Sequence, residues 1–130
     1  MGIQFAAVGI GAAAGAWLRW LLNILLNPIL PTMPLGTFAA NMIGGFLMGV
    51  CMALIGHYAA MSPAARLLMT TGFLGGLTTF STFSAETAAT ILRGQYGWTA
   101  IVIVSHVAGS VLLTLLGLSM TSHVLQRWSL

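Results

Sequence analysis

Gly72-Phe73-Leu74-Gly75-Gly76-Leu77-Thr78-Thr79-Phe80-Ser81-Thr82-Phe83-Ser84-Ala85-Glu86 lies in the middle of an apolar segment running from about Pro63 to Leu92. One straight helix over that segment would be roughly 45 Å long, against a bilayer core of about 30 Å. Its middle is also where a helix is weakest. Each of Gly75 and Gly76 costs a helix about 1 kcal/mol relative to alanine, and β-branched Thr78 and Thr79 follow. The stretch therefore predicts a broken helix, one half ending near Gly75 and the other starting near Phe80. Within a membrane a break is tolerated only where the freed backbone groups face protein, water or an ion. The break is the first functional expectation.

The rest of the chain supports a membrane setting. Of 130 residues 58% are hydrophobic and 4% charged, against about 25% charged in a soluble domain. Such a composition has no polar surface to hold the chain in water, and the expectation is an all-α integral membrane protein. The formal charge of +3 comes from four arginines and one glutamate, too few and too scattered to bind nucleic acid. Cys51, the single cysteine, has no partner for an internal disulfide and reads as a small buried hydrophobe. The N-terminus lacks the basic region of a signal peptide and reads as a retained helix.

Four spans follow in a single domain covering residues 1–130: about 3–26, 35–58, 63–92 with a break near 75–79, and 97–123. Asn27-Pro28, with Pro31 and Pro34, closes the first. Short links make neighbours antiparallel and put both termini on one side. Trp17, Trp20, Trp98 and Trp128 fall near span ends, where amphipathic rings settle at the headgroups. Arg66 and Arg127 lie on the side of the termini, Arg19 and Arg93 on the other. That balance gives the positive-inside rule nothing to act on, so the chain is expected to insert both ways and to pair as an antiparallel homodimer. Gly11-xxx-Gly15, Gly45-xxx-Gly49 and Gly72-xxx-Gly76 mark close helix approaches and say no more than that.

Enzyme chemistry has no foothold. One carboxylate, one thiol and three dispersed histidines (His57, His106, His123) make neither a metal set nor a triad. Polar residues inside spans are more informative, because each needs a partner. Thr37 and Asn41 share one face of the second span, while His106, Ser110 and Thr114 recur every four residues on the fourth. The third adds Ser81, Thr82 and Ser84 around Phe80 and Phe83. Neutral donors with little fixed charge suit a small, strongly hydrogen-bonding anion that must enter and leave; they equally suit hydrogen bonds between helices. Phe80 and Phe83, three apart, share a face and offer positive ring edges to an anion, or plain packing. Glu86 is open to two roles, carrying a proton or accepting a hydrogen bond from Ser81, Thr82 or Arg93. Arg19 snorkels or lends positive potential to a vestibule, and snorkelling is the simpler expectation.

Three motifs taken together, Gly11-xxx-Gly15-xxx-Arg19, Gly36-Thr37-Phe38-Ala39-Ala40-Asn41-Met42-Ile43-Gly44-Gly45-Phe46 and Gly72 through Phe83, resemble the Fluc (CrcB) fluoride channels along the whole chain. The resemblance implies a passive fluoride-selective channel of the bacterial inner (cytoplasmic) membrane. It implies four transmembrane helices per subunit with the third broken, and a dual-topology antiparallel homodimer with two pores. It places pore residues at Asn41, Phe80, Phe83, Ser81, Ser110 and Thr114. It also implies a central structural sodium ion held by backbone carbonyls of Gly75 and Thr78 from both subunits. His106 stands where some members carry serine. Export of cytoplasmic fluoride, and hence fluoride resistance, is the implied role, with Arg19, Thr37, Thr82, Glu86 and His106 in support. Two alternatives belong to other classes. A proton-coupled small multidrug-type exporter needs a carboxylate in the first span, where this chain has none. A non-transporting assembly subunit has no need of three polar faces.

Overall fold

The computed structural model describes residues 1–30 and 32–128, at Trp128 the backbone alone. Pro31 and the ring of Trp128, both used in placing the spans, lie outside the described residues. All regular structure among the described residues is helical. Helix α1 (Gly2–Leu26) runs into a 3₁₀ turn (Asn27–Ile29) that carries Pro28. The Asn27 side-chain oxygen accepts the Gly36 amide at 2.8 Å and so ties that turn to the start of α2 (Leu35–His57). Ser62 caps the next helix, accepting the Ala65 amide at 3.2 Å, with Pro63 in the first turn where its missing N–H costs nothing.

Helix α3 (residues 63–77) changes pitch along its length. It begins as an α-helix (Pro63–Leu67), widens to a π-helix (Leu68–Leu74) and closes with the turn Gly75–Leu77. The sequence reading did not anticipate the π-helical stretch. Thr78 and Thr79 then take extended conformations, and α4 (Phe80–Leu92) starts immediately after them. The interruption therefore falls at the two threonines rather than at the glycines, which remain helical. Thr78 donates both its amide, at 2.9 Å, and its hydroxyl, at 2.8 Å, to the Leu74 carbonyl, ending one helix. Thr79 starts the other: its hydroxyl oxygen accepts the Thr82 amide at 3.2 Å. Gly94, at φ 71°, makes the left-handed turn into α5 (Tyr96–Trp128). That last helix is longer than the expected 97–123; its 33 residues would measure about 50 Å. Three stretches are long and apolar enough to cross a membrane: Gly2–Ile29, Leu35–His57 and Tyr96–Arg127.

Glycine sets how the helices meet. A Cβ on Gly15 would fall on the Phe73 carbonyl, and one on Gly76 on the Ala12 carbonyl, so α1 and α3 touch backbone to backbone. Gly11 faces Leu68 and Gly72, while Gly15 faces Phe73 and Leu77, which makes the two helices parallel. On the other side Gly45 meets Ser110 and Thr114, and Gly49 meets Thr114 and Leu118, so α2 and α5 are also parallel. Ala40, Cys51, Leu74 and Leu77 form the small core between the two pairs. Ile3, Phe5, Ile10, Trp17, Trp20, Val104, Leu112 and Leu115 point outward. In water that surface would be untenable; against acyl chains it is the expected one. Trp98 joins the link ends by donating its indole N–H to the Thr32 carbonyl at 2.8 Å.

Candidate functional site

Where α2, the Thr78–Thr79 interruption, α4 and α5 come together, the chain forms an open groove of about 400 Å³. Seven residues singled out from sequence converge on it: Asn41 from α2, Thr78 from the interruption, Phe80 and Phe83 from α4, and His106, Ser110 and Thr114 from α5. Thr79 lines it too, with Gly44 and Gly45 as its floor and Met48, Val107 and Val111 as apolar wall. The lining includes no Asp, Glu, Lys or Arg.

Asn41 is the joint of this site. Its side-chain oxygen accepts the Thr79 amide at 2.8 Å, and its NH₂ donates to the Thr79 carbonyl at 3.2 Å. The Asn41 oxygen thus replaces the helical acceptor of the Thr79 amide, and its NH₂ adds a second donor to a carbonyl that already opens α4 as the N-cap, which is how a polar residue of α2 holds the interruption open. The remaining N–H of Asn41 points at Nδ1 of His106, 3.3 Å away. Phe83 is buried, stacked on the His106 ring with centroids 4.7 Å apart, and Phe80 lies 5.6 Å from Phe83. Phe80 is 78% exposed, so the groove is open on the Phe80 side in a single chain. Thr114 donates to the carbonyls of Gly45 and Ser110, each at 2.9 Å, and the Ser110 hydroxyl donates back to Val107 at 3.2 Å.

Other candidates sit elsewhere. Ser81 is exposed beside the Thr79 hydroxyl at 3.2 Å, and Thr82 joins the same cap, accepting from Thr79 at 3.1 Å; neither lines the groove. Ser84 bonds back to the Phe80 carbonyl. The partner of Glu86 is Thr37, which donates its hydroxyl at 2.6 Å, rather than Ser81, Thr82 or Arg93. Thr37 is fully buried and its hydroxyl would otherwise have no acceptor, while Arg93 is exposed at the helix end. The second oxygen of Glu86 is sealed without a partner. Arg19 is half-buried and donates Nε to the Gly76 carbonyl at 3.1 Å. A carbonyl at a helix C-terminus carries partial negative charge, and a guanidinium is its natural partner.

Gly75 and Thr78 fit the chemistry of a hard cation. The Thr79 amide goes to Asn41 and not to Gly75, four residues back, so the Gly75 carbonyl loses its helical donor. Thr78 has left the helix, with φ −81° and ψ 154°. No side chain among the described residues donates to either carbonyl. A Cβ on Gly75 would meet only the Thr70 carbonyl, at 3.7 Å, so this exposed glycine answers to no contact within its own chain. Thr79 itself was missed from sequence. Its signal was a threonine one position before a new helical run, the ordinary mark of a cap.

A family model described as CrcB-like protein, Camphor Resistance (CrcB), matches residues 6–118. A protein of Nitrosospira multiformis named fluoride-specific ion channel FluC is 57% identical over 112 residues, covering 86% of this chain and 88% of its own length. Proteins of the same name from Aromatoleum aromaticum and Cupriavidus taiwanensis are 60% identical over 113 residues and 56% identical over 116. They cover 87% and 89% of this chain, and 86% and 92% of their own lengths. The outward apolar helices and this match together lead to one conclusion: the chain belongs to the CrcB family and is a multi-pass integral membrane protein of a bacterial membrane.

Proposed function

We propose that this protein is a passive, fluoride-selective channel of the cytoplasmic membrane, and that the groove at Asn41 is one wall of its pore. The observation that carries the reading is the lining itself: neutral donors and phenyl rings from three elements, with no fixed charge. Fluoride is small and strongly hydrated, so a path for it must replace water with hydrogen-bond donors, or desolvation blocks entry. A fixed positive charge would bind too tightly to release. Ring edges of Phe80 and Phe83 would carry the anion across the part of the groove with few hydroxyls. The relatives' printed name supports the same substrate.

Residues 63–77 and 80–92 are each too short to cross a bilayer, at about 22 Å and 20 Å, and we read them as one broken third span of four. The working unit is an antiparallel homodimer of oppositely inserted copies. In it a second chain covers exposed Phe80 and completes two equivalent pores. The Gly75 and Thr78 carbonyls of both copies would hold a structural sodium ion, whose charge would offset four carbonyl dipoles meeting at the dimer axis. The anion leaves the cell down its electrochemical gradient, and the cell thereby resists fluoride. No carboxylate lines the groove to couple that movement to protons.

Fluoride efflux from liposomes holding the purified protein tests the reading. Rapid electrogenic efflux of fluoride, with chloride retained, is the expected result. Vesicles that hold fluoride as well as protein-free ones would refute it.

A further inference from the structure

His106 sits at the meeting point of three helices, and two of its contacts, Asn41 and Phe83, line the groove with it. Its ring stacks on Phe83 at an interplanar angle of 29° and meets Phe38 edge-on, with centroids 5.2 Å apart. Nδ1 faces the Asn41 amide at 3.3 Å. Which end of that amide faces it is fixed by Thr79, whose N–H must meet the side-chain oxygen and whose carbonyl must meet the NH₂. The group turned toward the imidazole is therefore a donor, and a donor needs a lone pair opposite it. Nδ1 supplies that lone pair only when the ring proton is on Nε2.

Nε2–H then has no hydrogen-bond partner among the described residues. It is also not a sealed orphan: the polar side-chain atoms shut away without a partner are Asn23 Oδ1 and Glu86 Oε2. His106, 5% exposed, lines the groove one helical turn from Ser110. Serine at this position would offer a hydroxyl and could neither stack on Phe83 nor bridge to Asn41.

We infer that His106 is a further anion-path residue of this protein, positioning Asn41 through its Nδ1 lone pair and Phe83 by stacking, and offering Nε2–H to the passing fluoride as a donor. The inference rests on the groove being the anion path, and it deepens that reading by adding a donor between the phenyl rings and the Ser110–Thr114 hydroxyls.

Two measurements test it. The first is nitrogen NMR of isotope-labelled histidine in the intact protein in lipid, with the His106 signals assigned by their loss in His106→Phe. Nδ1 should be unprotonated and Nε2 protonated, and sodium fluoride should move the Nε2 signal where sodium chloride does not. The second is fluoride efflux from liposomes. His106→Phe keeps a stacking ring but loses both nitrogens, and should lower flux about tenfold. His106→Gln restores an acceptor and a donor, and should recover flux to within about threefold of the parent. Protonated Nδ1, an Nε2 signal indifferent to fluoride, or parental flux in His106→Phe each overturns the inference while the channel reading stands. A parent protein that conducts no fluoride overturns that reading, and this inference with it. Should His106→Phe elute as aggregate, the fluoride titration of the parent, with assignment by His106→Gln, still decides.

Discussion

The α1–α3 seam and the junction of α4 with α2 and α5 are built on opposite plans. Along the seam, Gly11, Gly15, Gly72 and Gly76 bring two backbones into direct contact, and the one side-chain hydrogen bond between these helices among the described residues is Arg19 to the Gly76 carbonyl. Where α4 and the interruption meet α2 and α5, contact runs through side chains: Thr37 to Glu86, Asn41 to Thr79, and Thr90 to Thr99 at 2.7 Å, while α2 and α5 themselves meet backbone to backbone at Gly45, Gly49 and Gly117. Lipid gives helices no hydrophobic reason to associate, so each plan has its own source of cohesion, close van der Waals packing in one and hydrogen bonds in the other. Backbone contact leaves no room to adjust. Polar side chains leave a space between helices and line it with groups able to exchange partners.

Breaking the seam should have the largest effect. Gly15→Leu would drive a side chain into the Phe73 carbonyl and to within 2.7 Å of the Leu77 amide, both backbone groups unable to yield. We expect a loss of about 3 kcal/mol or more and no monodisperse protein on size-exclusion chromatography. The comparison sharpens at two adjacent glycines. Gly76→Ala meets the Ala12 carbonyl and should also aggregate, whereas Gly75→Ala has room within its own chain and should leave each chain folded, any effect being confined to the contact between copies. Equal behaviour of Gly75→Ala and Gly76→Ala would dissolve the distinction between the seam and the open face.

Next in size is Asn41→Ala, which removes the latch from the groove without touching the seam. It leaves the Thr79 amide without a partner, at about 1–3 kcal/mol while that group stays unsatisfied, whereas the Thr79 carbonyl keeps its helical donor. The Thr79 amide is then free to return to Gly75 and close the interruption. Fluoride flux should fall about a hundredfold, and hydrogen exchange at the Thr79 amide should change in step. Asn41→Asp keeps the acceptor for Thr79 but loses both donors, so it should spare the Thr79 amide and still abolish flux. If both variants conduct as the parent does, Asn41 is packing.

The two phenylalanines separate the groove's structural side from its open side. Phe83→Ile removes a buried ring and the stack on His106, and should cost about 1–3 kcal/mol in stability as well as most of the flux. Phe80→Ile touches a ring that is exposed within its own chain, and should reduce flux while costing less stability than Phe83→Ile, whose ring is buried within the chain itself. A Phe80→Ile protein that conducts normally would confine the anion path to the buried part of the groove.

Much of this architecture was legible in the sequence, and the failures share one cause. Helix extents follow from apolar runs and proline links, which act locally; the α2 and α4 ends came within one residue of expectation, at His57 and Leu92. Helix propensity bounded the interruption to 75–79 and its far side to Phe80, but did not show which residues of that window would leave the helix. Gly75 and Gly76 are the weakest helix formers in the stretch, yet they stay helical because α1 packs on Gly76 and Arg19 holds its carbonyl. Thr78 and Thr79 leave the helix because Asn41, 38 residues earlier in the chain, takes the Thr79 backbone. The same non-local logic hid the Thr37–Glu86 pair and the capping by Arg19. Periodicity found the His106, Ser110 and Thr114 stripe because a helix puts every fourth residue on one face. It had no means of showing that Ser81 and Thr82 would be drawn into a cap.

The smallest effect is expected at Glu86, the one carboxylate of the chain, and it tests whether the polar side is a channel wall or part of a coupling device. The carboxylate lies behind the groove: one oxygen accepts the Thr37 hydroxyl at 2.6 Å, the other is sealed, and neither reaches the lining. Glu86→Gln keeps an acceptor for Thr37 and nearly the same shape, so the pair should survive with one neutral hydrogen bond in place of the present one. We expect fluoride flux within about threefold of the parent, since a hydrogen bond that keeps both partners changes by little more than about 0.5 kcal/mol. Reversal potentials measured under a proton gradient should follow the fluoride gradient alone, in parent and variant alike. A parent whose reversal potential tracks the proton gradient, with the dependence lost in Glu86→Gln, would make the carboxylate a proton carrier and the protein an exporter. Thr37→Val separates the two readings further. It strips the carboxylate of its only hydrogen bond among the described residues while leaving its proton-carrying chemistry intact. A structural pair then predicts lost stability with no coupling to protons, and a carrier predicts altered coupling with stability retained.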